Sequence, residues 1–267
     1  MKDIALLDTT GIVFMSVYLV SLLLVGVVGR LARKEDSLSD FYLSGRGMGL
    51  FVLFLTLYAT QYSGNTLIGM AGKSYRQGYA FLVSVTFMMS VIGAYLIYAP
   101  KLHRLSKKNK FITVGDYIEH RYRSPILTIF ITIVCIITVG SYILTNLKAI
   151  GYIVEATTGG RVTFVQGIIA LSLIMVIYET LGGMRSVAWT DAIQGILLIA
   201  GCIFIFWGIE YQYGGISAVA EKLVSSRSEM WHPPDFAQKR LWLSTIIIIF
   251  FGISIYPQAI QRIYSAK

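Results

Sequence analysis

Long apolar runs separated by short polar stretches dominate the chain. The hydrocarbon core of a bilayer asks a helix for roughly 20 mostly apolar residues in succession, and several runs reach that length. They fall at residues 8–29, 49–72, 78–100, 125–155, 162–180, 187–210 and 241–260. An all-α, polytopic membrane protein of about seven spanning helices is therefore expected. The charged start MKDIALLD runs into the first apolar stretch without a small-residue cleavage motif, so that stretch reads as a retained span. Short connections leave little room for a separate domain. The longest, residues 211–240, carries Gly214, Gly215, Pro233 and Pro234 and predicts a loop with a short surface helix. ITVGDYIEHRYRSP alternates apolar and charged residues at helical spacing, which predicts an interfacial helix, with docking of a soluble partner as the rival use.

Composition agrees with that pattern: 55% of the 267 residues are hydrophobic and 14% charged, with a mean hydropathy of +0.67. The net charge of +9 does not point to nucleic acid, because the basic residues lie between the apolar runs. If the chain changes sides at every span and starts outside, most of its 23 Lys and Arg residues fall in the cytoplasm, densest in KLHRLSKKNK. That bias predicts a plasma-membrane protein with its N-terminus outside. Cys135 and Cys202 both sit within apolar runs, where they read as small packing residues. No GxxxxGK[ST] loop and no HExxH pair occurs, so nucleotide-driven pumping and zinc proteolysis have no motif to rest on. Neither an enzyme activity nor an organic cofactor is expected.

Two of the spans carry residues that lipid-facing helices avoid. The second contains an unbroken run of Thr60, Gln61, Tyr62, Ser63, Gly64, Asn65 and Thr66. Polar side chains at membrane depth need a partner helix or a wet cavity, and Gly64 beside Ser63 weakens the helix at the same place. A mid-membrane break frees carbonyl oxygens that suit a hard cation such as sodium, while helix ends nearby suit a polar solute. Close small-residue helix packing is the alternative. In the seventh span Gly252, Ser254, Tyr256, Pro257 and Gln258 interrupt a run of isoleucine and phenylalanine. Pro257 removes a donor and crowds the preceding turn, which would free carbonyls near Gly252 and Ile253; a kink without a ligand is the alternative. Two interrupted spans together point to a transporter whose solute lies between them. Lys148 is the lone basic residue well inside a span, and its stem is long enough to snorkel to the nearer interface.

DFYLSGRGMG (residues 40–49), ATQYSGNTLIGMAG (59–72), ITVGDYIEHRYRS (112–124), ETLGGMRSVAWTDAIQG (179–195) and YPQAIQRIYSAK (256–267) occur in an order that resembles the sodium:solute symporter family. That family includes proline, pantothenate, sugar and monocarboxylate carriers. The resemblance implies a leucine-transporter type of fold, in which an extra first helix precedes two inverted five-helix repeats. Residues 8–29 would be the extra helix, 49–210 the first repeat, 211–240 an extracellular loop, and 241–267 the opening of the second repeat, making the chain the front part of a longer transporter. It further implies sodium ligation by the backbone carbonyls of Ala59 and Tyr62, and solute contacts from Gln61, Gly64, Asn65, Thr66, Tyr256, Pro257 and Gln258. Asp191 matches an aspartate at the family's cytoplasmic ion exit. A helix-start carboxylate and a gate ion pair with Arg185 are the other readings of Asp191. The expected function is sodium-driven symport of a small organic solute. Its rivals are a membrane sensor module of a signalling kinase and a truncated chain inactive on its own. Gln61, Asn65, Thr66 and Tyr256 offer hydrogen bonds without fixed charge, which fits amino acids, carboxylates, vitamins and sugars alike.

Overall fold

The computed structural model describes residues 7–254 and 256–267. The charged start at residues 1–6 lies outside the described residues. Helix α1 (Thr9–Leu31) begins where the Asp8 carboxylate accepts the Gly11 N–H at 2.7 Å, satisfying one of the donors every helix start leaves open. A short α2 (Leu38–Leu43) leads to α3 (Leu50–Gln61), a π-helical stretch (Asn65–Met70) and α4 (Ala71–Gln77). Next come α5 (Tyr79–Ser84), a 3-10 turn (Val85–Met88) and α6 (Met89–Asn109). The interfacial segment forms α7 (Val114–Tyr122), opened by a reciprocal Thr113–Asp116 capping box. Then follow α8 (Pro125–Thr157), α9 (Phe164–Tyr213), the surface helix α10 (Gly215–Ser226), α11 (Phe236–Ser254) and α12 (Pro257–Ser265). Among the described residues the only β feature is an isolated parallel bridge between Met48 and Ala266.

Among the described residues, four helical stretches are long and apolar enough to cross a bilayer: α1, Tyr79–Asn109, α8 and α9; α11 with α12 adds a fifth when counted as one bent span. Large apolar side chains such as Leu50, Ile126 and Phe236 stand at least 80% exposed, a surface that suits hydrocarbon rather than water. The chain is a multi-pass, all-α membrane protein. Two expected boundaries move. The third span does not stop at Pro100, because α6 carries that proline inside it and continues through the basic turn to Asn109. The fifth and sixth spans are the two arms of α9, and the connection expected at residues 181–186 tightens to the single non-helical residue Gly183.

Gly183 turns α9 back on itself. Its φ of 59° and ψ of −151° form a combination open almost only to glycine. The reversal is plain from what α1 touches. Gly26 packs on Tyr178 and Gly29 on Gly182, so α1 runs parallel to the arm before Gly183. Gly29 also meets Ser186, and Tyr18 Oη accepts the Gln194 Nε2–H at 2.9 Å, so α1 runs antiparallel to the arm after it. Ser186 Oγ likewise donates to the Tyr178 carbonyl at 3.1 Å, whereas eight residues of straight helix would hold them about 12 Å apart. The glycines of α1 make the contact close: a Cβ on Gly26 would lie 2.8 Å from the Tyr178 Cα.

The residues that charge patterning assigns to one side of the membrane do meet at one end of the bundle. Arg33 donates to the Leu181 carbonyl at 3.1 Å, and Arg46 to the carbonyls of Phe111 at 2.6 Å and Tyr264 at 3.4 Å. His103 Nδ1 is 3.1 Å from the Ile263 carbonyl, and Met48 N–H donates to the Ser265 carbonyl at 3.2 Å. At the other end, Leu7 N–H donates to the Thr157 carbonyl, Arg227 to the Tyr75 hydroxyl, and Tyr79 stacks near Trp231.

Gly183→Ala should cost about 1–3 kcal/mol from backbone strain alone. The new Cβ would also meet the Phe41 carbonyl oxygen at 2.6 Å. Thermal unfolding in detergent should show a midpoint lowered by several degrees, against little change for Gly201→Ala, whose Cβ meets nothing within 4 Å. Equal midpoints would mean that the reversal accepts a side chain.

Candidate functional site

Helix α3 stops at Gln61 because Tyr62 adopts an extended conformation (φ −94°, ψ 111°). The polar run then satisfies itself. Ser63 N–H donates to Thr66 Oγ1 at 3.3 Å while Thr66 N–H donates to Ser63 Oγ at 3.4 Å, a reciprocal exchange that starts the next helical stretch. Gly64 N–H donates to Asn146 Oδ1 on α8 at 3.3 Å. The Ala59 carbonyl accepts the Tyr62 N–H at 3.2 Å and keeps a second lone pair, and the Ser63 carbonyl accepts the Leu67 N–H. Among the described residues no donor reaches the Tyr62 carbonyl. Gly64 is required by closeness, since a Cβ there would collide with the Ala149 Cβ.

The second break lies between α11 and α12, which meet at 45°. Pro257 does not act as a breaker inside a helix. It sits in the first turn of α12, where its missing N–H leaves no bond unmade. The Tyr256 carbonyl accepts from Ala259 and Ile260 N–H at 3.1 Å each. Helix α11 runs to Ser254, so Gly252 and Ile253 lie in its last turn, where carbonyls have no donor further along the same helix.

Helix α8 touches both breaks. Asn146 holds Gly64, and one turn earlier Tyr142 stands edge-on to Tyr256, ring centroids 5.8 Å apart. Gln61 Nε2–H donates to the Tyr95 hydroxyl on α6 at 3.0 Å, and the Tyr256 hydroxyl donates to Gln258 Oε1 at 3.3 Å. Gln61, Gly64, Tyr256 and Gln258 therefore cluster around α6 and α8. Thr66 instead turns inward to Ser63, and the side chain of Asn65 lies outside the described residues. Tyr95, Tyr142 and Asn146 belong to this cluster but were not singled out; Asn146, an amide two residues before Lys148 in an apolar span, was the available signal.

Asp191 lies neither at a helix start nor beside Arg185. Positions six apart on one helix differ by about 9 Å in rise and 120° in direction, which keeps the two apart. Arg185 pairs with Asp40, Nη2 to Oδ1 at 2.9 Å and Nη1 to Oδ2 at 3.3 Å, both side chains buried. Asp191 instead accepts from the Thr56 hydroxyl of α3 and from Arg262 Nη2 of α12 at 2.7 Å. Arg262 completes a closed circuit: its Nε–H donates to Thr56 Oγ1 at 2.9 Å and its Nη1–H to the Gln258 carbonyl at 3.2 Å. Thr56 is fully buried and Arg262 is 6% exposed. Asp40, Thr56 and Arg262 went unremarked, although Arg262 follows Gln258 by one helical turn and is the only charged side chain of α12. Lys148 is exposed on α8, in keeping with the snorkelling reading, and Cys202 is exposed rather than packed.

Residues 41–267 match the model of the sodium:solute symporter family. The sodium/pantothenate symporter of Haemophilus influenzae is 25% identical over 238 residues, 88% of this chain and 49% of that protein. The osmoregulated proline transporter of Bacillus subtilis is 24% identical over 262 residues, 96% of this chain and 52% of its own. The chain spans about half the length of the curated relatives it matches. A solved sodium-coupled sialic acid symporter, described as substrate-bound and outward-open, shares the fold with a TM-score of 0.66 at 20% identity, covering 93% of this chain and 60% of that one.

Removing one partner of a buried ion pair typically costs about 3–5 kcal/mol, because the other charge is left without compensation. Arg262→Ala should lower stability on that scale, and adding Asp191→Asn should recover part of the loss in the double variant. Thermal unfolding of the two single variants and the double variant would measure the coupling. Strictly additive losses would show that the two side chains act independently.

Proposed function

The chain belongs to the sodium:solute symporter family, and from that premise we propose that it carries part of a sodium-coupled pathway moving a small organic solute across the plasma membrane. The observation that carries this reading is the pair of broken helices set against one patch of α8. A cation needs oxygen ligands, and the Tyr62 carbonyl with the second lone pair of Ala59 supplies two of them. The solute meets the neighbouring surface of Gln61, Gly64, Tyr256 and Gln258, and Asn65, Thr66 and Pro257 are the further candidates beside them in sequence. None of these side chains carries a fixed charge.

The Thr56–Asp191–Arg262 circuit closes one end of the pathway, one turn of α12 beyond Gln258. Positive charge is concentrated at that end, which supports a cytoplasmic assignment and an N-terminus outside. In the transport cycle this circuit parts so that cation and solute leave inward, which gives Asp191 its role at the ion exit; Arg185 stays bound to Asp40. On this scheme residues 49–210 form the first repeat, residues 8–29 the helix before it, and residues 241–267 open the second repeat.

In proteoliposomes carrying the transporter with an inward sodium gradient, Gly64→Val should abolish solute uptake while membrane insertion is retained. Its side chain would collide with Ala149 exactly where α3 must stay open beside α8. Gly201→Val, in open space, should transport normally. Unchanged uptake by Gly64→Val would remove the break from the pathway.

A further inference from the structure

A cavity of about 340 Å³ lies at the end of the bundle opposite the Thr56–Asp191–Arg262 circuit, between α4, α5 and α11. Met70, Lys73, Gln77, Phe81, Gln238 and Trp242 are among its walls. Its size falls within the range of small-molecule sites, roughly 300–1,000 Å³. Met70 ends the π-helical stretch that follows the first break, about 9 Å of helix from Gly64. The cavity thus adjoins the outer limb of the same broken helix that is sealed at its other end.

The polar groups of the described wall are Lys73, Gln77, Gln238 and Thr245, and the one charge among them is positive. Among the described residues of the wall, Lys73 is the only charged one, and none is a carboxylate. Gln238 commits its Oε1 to the Asp235 N–H at 2.8 Å, which leaves its amide N–H groups for a ligand. The Trp242 indole is held by its Nε1–H bond to Thr86 Oγ1 at 3.0 Å, so its ring offers a fixed apolar face rather than a donor. Phe81, 8% exposed, adds a second firm apolar wall. A lone cation, free amide donors and a rigid aromatic surface suit an organic anion with an apolar body, such as an aryl carboxylate. Near the same end Arg76 and Arg227 add positive charge, and Asp235, whose carboxylate accepts the Gln238 backbone N–H at 2.7 Å, adds one negative.

We infer that this cavity is an outer binding site for a small organic carboxylate, with Lys73 as the charge-recognising residue. The inference rests on the transport reading in taking the cavity as the approach to the broken helices; binding at the site does not require transport. Benzoate and benzamide, alike in shape and differing in charge, are the probes. They are titrated calorimetrically into the chain held in phosphatidylcholine nanodiscs, where no anionic lipid competes. Benzoate is expected to bind at least about tenfold more tightly than benzamide, the scale of one charge-assisted hydrogen bond. Lys73→Gln should erase that preference and Lys73→Arg should keep it. Because Lys73 is exposed, neither change threatens folding. Equal binding of the two probes, no binding of either, or an unaltered preference in Lys73→Gln would overturn the inference. Lys73-dependent binding in a protein that shows no sodium-driven uptake would refute the transport reading while leaving this site standing. Uptake without such binding would do the reverse.

Discussion

Arg262 fastens three helices at one buried point. Its guanidinium carries a charge that cannot be shed, so α12 can pack there only if α3 and α9 bring acceptors to meet it. Thr56 and Asp191 do so, and the Thr56 hydroxyl both accepts from the arginine and donates to the carboxylate, leaving no member of the circuit unmatched. Such a node is poor in net stabilisation, since desolvating the two charges offsets most of their attraction. What it supplies is registry: α12 cannot slide or rotate without stranding a charge.

That registry makes the breaks tolerable. A backbone opened at membrane depth loses hydrogen bonds that no solvent replaces. The first break limits the loss by the Ser63–Thr66 exchange and by borrowing Asn146 from α8. The second limits it by placing Pro257, which has no N–H to satisfy, at the start of α12. The segment after each break is held from outside. Ala149 and Asn146 press on Gly64, and Arg262 anchors α12 one turn after Gln258.

Much of this was legible in the residues. Apolar run length located the helices, and the polar run at residues 60–66 located the first break, because both depend on local composition. The interfacial helix with its Thr113–Asp116 cap was visible for the same reason. Partnerships between distant segments were not. Asp191 reads locally as a helix-start carboxylate beside Arg185, yet each finds its partner far along the chain, in Arg262 and in Asp40. Nothing in local spacing distinguishes Asp40 from any loop carboxylate. The reversal between residues 180 and 187 was legible as well, because successive spans must change sides; what was hidden is that Gly183 alone makes it, with α1 packed against both arms.

The two buried ion pairs differ in what they join, and that difference bears on motion. Asp40 and Arg185 tie α2 to the turn of α9, which α1 already grips through Gly29 and Arg33, so breaking that pair would loosen elements that are packed together anyway. Asp191 and Arg262 tie α9 to α12, a helix of two and a half turns that begins at a 45° bend. Helix α12 is held at further points as well, by Arg46 on the Tyr264 carbonyl, Met48 on the Ser265 carbonyl and its own Gln261 on the Tyr42 carbonyl, so it can move only together with the α2 region. The first pair therefore braces the turn of α9, and the second fixes the direction in which α12 leaves the bend.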